Sequence, residues 1–262
     1  MTRPAGFRVL RRHAAGAGLM LALAVAWEVA AASLQIRSLP PVENVARALW
    51  RILSGPDLGE HVLPSLARAV AGFLIGTHLG ALAGLAIGVI RGVEPWLRPL
   101  LEFGRSLPAP AVLPAALLVL GPTPAMRVTL IAVGCAFPVI LNAIDGARRV
   151  DPLMLDTARS FSLRPAEVLR RVILPAALPQ ILAGARTAVS IALIMMVISE
   201  LIAATSGVGV LLFQSQRLFR AADTYAVVLL LGLIGWLLAQ LFVRLERQAI
   251  GWQAGWRGAA DA

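Results

Sequence analysis

Six long apolar segments dominate this chain, at 14–34, 63–90, 99–120, 128–144, 178–204 and 224–243. Each meets or approaches the roughly 20 mostly apolar residues that a helix needs to cross the hydrocarbon core of a bilayer. Lipid offers no hydrogen-bond partners, so a spanning segment must satisfy its own backbone, and helices are predicted throughout. The expected fold class is therefore an all-α membrane protein with six transmembrane helices. With 58% of its 262 residues apolar and only 15% charged, the composition suits a multi-pass membrane protein and not a soluble domain. Arginines precede the first segment, and Ala30-Ala31-Ala32-Ser33 resembles a cleavage site. We read a retained helix, because its apolar part is long for a signal core and keeping it makes the span count even.

The arginines set an orientation. With both termini cytoplasmic, fifteen of them (3, 8, 11, 12, 91, 98, 148, 149, 159, 164, 170, 171, 244, 247 and 257) fall in inner segments and six (37, 47, 51, 127, 217 and 220) in outer ones. This is the positive-inside asymmetry of a plasma-membrane protein. The domain organisation expected is a cytoplasmic segment at 1–13, a six-helix domain at 14–243 and a cytoplasmic tail at 244–262.

The same arginines exclude some functions. All 24 basic residues are arginine, so a Walker A loop, which needs a lysine for the nucleotide phosphates, is impossible here. The net charge of +10 carries no aromatic interleaving and sits between apolar runs, so no nucleic acid partner is expected. Cys135 is the single cysteine, inside an apolar run, and reads as a buried inert thiol. His13, His61 and His78 are too scattered to offer metal-ligand spacing, so no metal site is expected. Catalytic clusters of His, Cys or paired acids are lacking from the pattern, and no enzymatic activity is expected of this chain.

Between the fourth and fifth segments lies a polar, arginine-rich stretch at 150–176 that includes DTARSFSLRPAEVLRRVILP, Asp156 to Pro175. Asp151 is a good N-cap, and Pro152 falls at the first helical position, where a missing N–H costs nothing. A helix from Pro152 to about Phe161 should break around Ser162 to Arg164. It should restart at Pro165, with Glu167 in the acid-favouring first turn, and end at Pro175. The orientation above places this hairpin in the cytoplasm.

The hairpin resembles the EAA loop of permease subunits of binding-protein-dependent ABC importers, in which E-A-A is followed at fixed offsets by G and by I-x-L-P. The matching positions are Asp156, Thr157, Ala158, Ser162, Val172, Leu174 and Pro175. Thr157 replaces a small apolar residue, and Ser162 stands in the glycine position. If that turn needs a left-handed backbone, a non-glycine residue there costs roughly 1–2 kcal/mol. Further landmarks in order, from Leu39-Pro40 through SLARAVAGF, SLPAPAVLP, FPVILNAIDGARRVDP and LPAALP to SELIAATSGVG, resemble the nitrate, sulfonate and taurine branch of this family. Pro122-Thr123-Pro124 departs from the branch's pattern after Gly121.

The resemblance implies the type I importer permease fold, with the hairpin as an ATPase-coupling element seated on a separate ABC ATPase subunit. ATP and Mg are expected on that partner, with no cofactor in this chain. It further implies an extracytoplasmic substrate-binding protein, a second permease copy as a homodimer, and ATP-driven import of a small solute such as a sulfonate, taurine or nitrate. An ion-gradient-driven secondary transporter is the alternative; it would need intramembrane acids facing a central site, for which Glu200 is a thin basis.

Three features mark the spans. Gly72, Gly76, Gly80, Gly84 and Gly88 make a stripe of close helix packing, read as intramolecular ahead of a dimer seam. A step of four drifts about 40° per repeat, so one straight partner should not follow the whole stripe. Pro108, Pro110 and Pro114 predict an irregular third span, either a kinked helix lining the translocation pathway or a plain proline kink. Glu200, an acid near the outer end of the fifth segment, is a candidate gate or pathway residue, or else a carboxylate paired or solvated near the interface. On the outside, VENVARALWRIL reads as an interfacial helix, and TSGVG with QSQRLFR as a flexible turn and a polar segment.

Overall fold

The computed structural model describes residues 5–34, 36, 38–90 and 92–251, and every regular element among them is helical. In order these are α1 (Ala5–Leu34), α2 (Val42–Ser54), α3 (Leu63–Val89), α4 (Glu94–Ser106), α5 (Leu113–Leu120), α6 (Pro124–Arg148), α7 (Pro152–Ser160), α8 (Pro165–Val168), α9 (Leu174–Ala203), α10 (Val208–Arg217) and α11 (Ala221–Ala249). Four helices among the described residues are long and apolar enough to cross a membrane: Leu58–Val89, Pro124–Arg148, Pro165–Ile202 and Ala221–Ala249. The first and third expected segments instead hold shorter apolar helices, Gly18–Leu34 and Pro110–Leu120. The ends of the expected cytoplasmic segments, 1–4 and 252–262, lie outside the described residues.

The described residues fall into two compact units. One comprises the chain up to Leu58 together with Leu211–Leu230. Here α2 buries Val45, Ala48 and Ile52, with Val42 and Leu49 half-buried; the helical spacing of Val42, Val45, Leu49 and Ile52 marks the same side. Glu28 accepts the Val42 N–H at 2.8 Å and so satisfies an open donor at the start of α2, while the Trp27 indole donates to Pro40 O at 2.9 Å. Trp27 also meets Tyr225 edge-on, with ring centroids 5.0 Å apart. QSQRLFR, Gln214 to Arg220, expected as a polar segment, is helical as far as Arg217, the end of α10.

The second unit, Gly59–Val210 with the chain from Leu231 on, holds the main core. Its centre is α6, which packs against α3 on one side and α9 on the other. The glycine stripe makes the first contact possible. A Cβ added at Gly72 would stand 2.6 Å from Ile131 Cβ, at Gly84 2.6 Å from Ala143 Cβ, and at Gly88 2.7 Å from Ala147 Cβ. One partner therefore does follow the whole stripe, contrary to the drift expectation. The reason is that α6 answers with its own step of four, through Ile131, Cys135, Val139, Ala143 and Ala147, so both rows drift together as in packing of i±4 ridges. On the other side, Gly184 of α9 sits against Pro138 O and Asn142.

The third expected segment is broken, not merely kinked. α4 stops at Ser106, Leu107 and Pro108 are extended, a 3-10 turn covers Ala109–Val112, and α5 starts with Pro114 in its first turn. Each proline removes a backbone donor, Pro108 follows an extended Leu107, and three prolines within seven positions exceed what one helix can absorb. The departure at Pro122-Thr123-Pro124 is a helix start. The Thr123 hydroxyl accepts the Met126 N–H at 3.1 Å, and Pro124 occupies the first turn of α6.

Candidate functional site

The hairpin forms as two helices with a sharp turn. Asp151 caps α7 by accepting the Leu153 N–H at 2.9 Å. At the other end Leu163 N–H bonds Ala158 O at 3.1 Å and Ser162 N–H bonds Arg159 O at 2.8 Å, the pair of bonds of a Schellman motif. That motif places Ser162 in the left-handed region, at φ 53°. The chain then restarts at Pro165, with the Glu167 carboxylate accepting the Arg164 N–H at 3.0 Å.

Pro175 does not close this second helix. A π turn over Leu169–Ile173, in which Leu174 N–H reaches back five residues to Leu169 O, carries α8 directly into α9, with Pro175 in the first turn. The wider turn shifts the hydrogen-bond register by one residue, so the donor that proline lacks is not missed. The same device, a π turn over Leu58–Val62, precedes Pro64 at the start of α3. The helical run therefore continues for 38 residues from Pro165 to Ile202, through the π turn and with Pro179 inside it, and connects the hairpin to the vicinity of Glu200.

Of the residues at the EAA-loop positions, Asp156, Thr157, Ser162 and Leu174 are exposed, Ala158 is buried, and Val172 and Pro175 are half-buried. Asp156 pairs with Arg159 at 3.0 Å. Leu155, Val168, Leu169 and Val172 pack on the main core, so the hairpin turns one face inward and leaves Leu153, Phe161 and its arginines outside.

Glu200 is fully buried, with its side chain 0% exposed. Ser65 Oγ lies 2.7 and 2.8 Å from its two carboxylate oxygens, Arg68 Nη1 is 2.9 Å away, and the Gly209 N–H donates at 3.1 Å. Arg68 also donates to Ser206 O at 3.1 Å, Ser65 Oγ accepts the Val208 N–H at 2.8 Å, and Gly207 N–H donates to His61 Nδ1 at 3.0 Å. The TSGVG turn, expected to be flexible, is thus tied at several points to the start of α3 and the end of α9. Gly207 has φ 141° and sits so close that an added Cβ would meet the Glu200 carboxylate, so only glycine fits. Sequence inspection singled out Glu200 but missed Ser65 and Arg68, whose i, i+3 spacing on α3 was the available signal.

A separate cavity of about 780 Å³ lies among α4, the 3-10 turn, α6 and α9. Its described lining is apolar apart from Asn142 and Thr187, and carries no charged side chain. Pro138 has no N–H for the Gly134 carbonyl, and both line the cavity, which leaves a backbone acceptor in its wall. Pro110 lines this space, whereas Pro108, Pro114 and Glu200 do not. The cavity and the Glu200 cluster are distinct places in the fold.

The family described as the binding-protein-dependent transport system inner membrane component matches residues 76–248. The chain is 35% identical over 219 residues to a putative aliphatic sulfonates transport permease protein, SsuC, of Bacillus subtilis (strain 168), covering 83% of this chain and 79% of that one. It is 33% identical over 244 residues to the taurine transport system permease protein TauC of Escherichia coli (strain K12), covering 89% and 87%. Among solved structures, an inward-facing MetNI methionine ABC transporter superposes with a TM-score of 0.63 at 19% identity, over 72% of this chain and 94% of that one, a likeness of fold. The chain belongs to the family of inner membrane components of binding-protein-dependent transport systems. It is a permease subunit of an ABC importer, and the relatives and folds it matches are ABC permeases, not gradient-driven carriers.

Proposed function

We infer that this permease imports a small sulfonate, with taurine as the first candidate, and that its cytoplasmic hairpin couples the import to ATP hydrolysis on a separate subunit. The observation that carries the coupling role is the capped turn from Asp151 to Ile173, which leaves Asp156, Thr157 and Ser162 exposed at EAA-loop offsets and continues into a 38-residue helix. ATP and Mg belong to the partner, since no lysine is present to build a Walker A loop. The sulfonate assignment is supported by the transport names of the two relatives above. An uncharged cavity fits a solute handed over by an external binding protein and passed on without tight capture.

In this account six spans cross the membrane, with Gly18–Leu34 inside the first and the broken α4–α5 segment as the third. Both termini and the hairpin are cytoplasmic, and two copies form the pathway. Pro110, Asn142 and Thr187 are the pathway residues favoured by the cavity. The test is to purify a tagged chain from gently solubilised membranes and identify its companions by mass spectrometry. A Walker A ATPase should co-purify with the native chain and be lost on Asp156→Lys combined with Pro175→Ala. Its retention by that double variant would remove the coupling role from the hairpin.

A further inference from the structure

We propose that Glu200, Ser65 and Arg68 form a joint that passes hairpin movement from α9 to the start of α3 and the Thr205–Gly209 turn, with Glu200 acting as a positioning residue and not as a wall of the pathway. This rests on the coupling role inferred for the hairpin. The hairpin and Glu200 lie near opposite ends of one continuous helix, Pro165–Ile202, about 57 Å long at 1.5 Å per residue. Movement of that helix reaches its neighbours at the far end only where that end is fastened to them. The fastening is a carboxylate with no exposure that receives donors from Ser65 and Arg68 of α3 and from the Gly209 backbone.

The joint binds three elements at once. Arg68 spans from Glu200 to Ser206, Ser65 from Glu200 to the Val208 N–H, and His61 holds Gly207. Any tilt of α9 is thereby imposed on the start of α3 and on the Thr205–Gly209 turn. The buried charge serves this purpose better than an apolar contact. Charge-assisted hydrogen bonds have fixed directions, and sliding α9 past α3 would strand the carboxylate without donors. The role is distinct from cargo contact, because the 780 Å³ cavity does not include Glu200 in its lining.

The experiment reconstitutes the full complex, with its co-purifying ATPase and companion binding protein, in proteoliposomes. It measures uptake of labelled taurine and ethanesulfonate per ATP hydrolysed for the native chain, Glu200→Gln, Ser65→Ala and Ser65→Thr. The expected result is that Glu200→Gln and Ser65→Ala still assemble with the ATPase and hydrolyse ATP. Their uptake per ATP should fall at least about tenfold, since Glu200→Gln breaks the pair with Arg68 and Ser65→Ala removes the hydroxyl that joins Glu200 to the Val208 N–H. Ser65→Thr, which keeps the hydroxyl, should restore it. Unchanged uptake per ATP in both assembled variants overturns the joint while leaving the permease role intact. Failure of both to assemble reduces the cluster to a folding element and also overturns it. A native chain that neither retains an ATPase nor imports either probe overturns the coupling role and the joint together.

Discussion

Ser162 shows how a single turn residue can carry a conformational cost. Its φ of 53° is imposed by the two bonds that end α7, and a side chain in that region is disfavoured by roughly 1 kcal/mol or slightly more. Ser162→Gly should therefore raise the stability of the hairpin by about 1 kcal/mol, read as a higher melting temperature in detergent. A lower one would mean that the serine hydroxyl holds the turn. Arg68→Ala should act in the opposite direction and more strongly. It takes from the buried Glu200 the guanidinium hydrogen-bonded to it, leaving Arg127 as the cation within electrostatic reach, a loss of up to about 3–5 kcal/mol by the usual cost of breaking a buried pair, measurable as a fall in melting temperature. Cys135 is fully buried, with Sγ 3.4 Å from Ala188 O, and should resist maleimide labelling until the protein is denatured. Rapid labelling of the folded protein would contradict the packing of α6 on α9. At this scale the sequence announced which residues were unusual but not what they touch. Glu200 stood out as an acid in a span, while its partner Arg68 lies 132 positions away and no spacing rule joins them.

Among elements, periodicity was the strongest guide and proline the weakest. The apolar face of α2 and the capped start of α7 were legible because each depends on neighbours within a few residues. The glycine stripe on α3 announced a close contact, yet its partner α6 emerged only in the fold, since a matching step of four on a second helix is hidden among ordinary apolar residues. Gly84→Leu should force α3 and α6 apart. Overpacking of this kind costs about 1–3 kcal/mol or more, and lower yield of folded protein on size-exclusion chromatography checks it. Normal folding would show that the helices have room the packing denies. Prolines misled in two directions. Pro175 was expected to end a helix and instead enters one, because the π turn before it supplies a shifted register. Pro108, Pro110 and Pro114 were expected to bend a helix and instead divide it.

For the whole molecule, helical class and membrane character followed from composition and apolar run length, which need no knowledge of contacts. Family membership followed from the order of landmarks along the chain. The division between the apolar cavity and the Glu200 cluster did not, because it depends on which faces of α6 and α9 look toward which neighbours. The account joins these parts into one machine, in which ATPase closure moves the hairpin, the hairpin moves α9, and α9 moves the far end of the fold. The most direct test is taurine uptake into proteoliposomes holding the reconstituted complex, compared for the native chain and Asp156→Lys with ATP inside. The account predicts ATP-dependent uptake by the native complex and its loss in the variant, although the variant still inserts and folds. Equal ATP-driven uptake by both would contradict it.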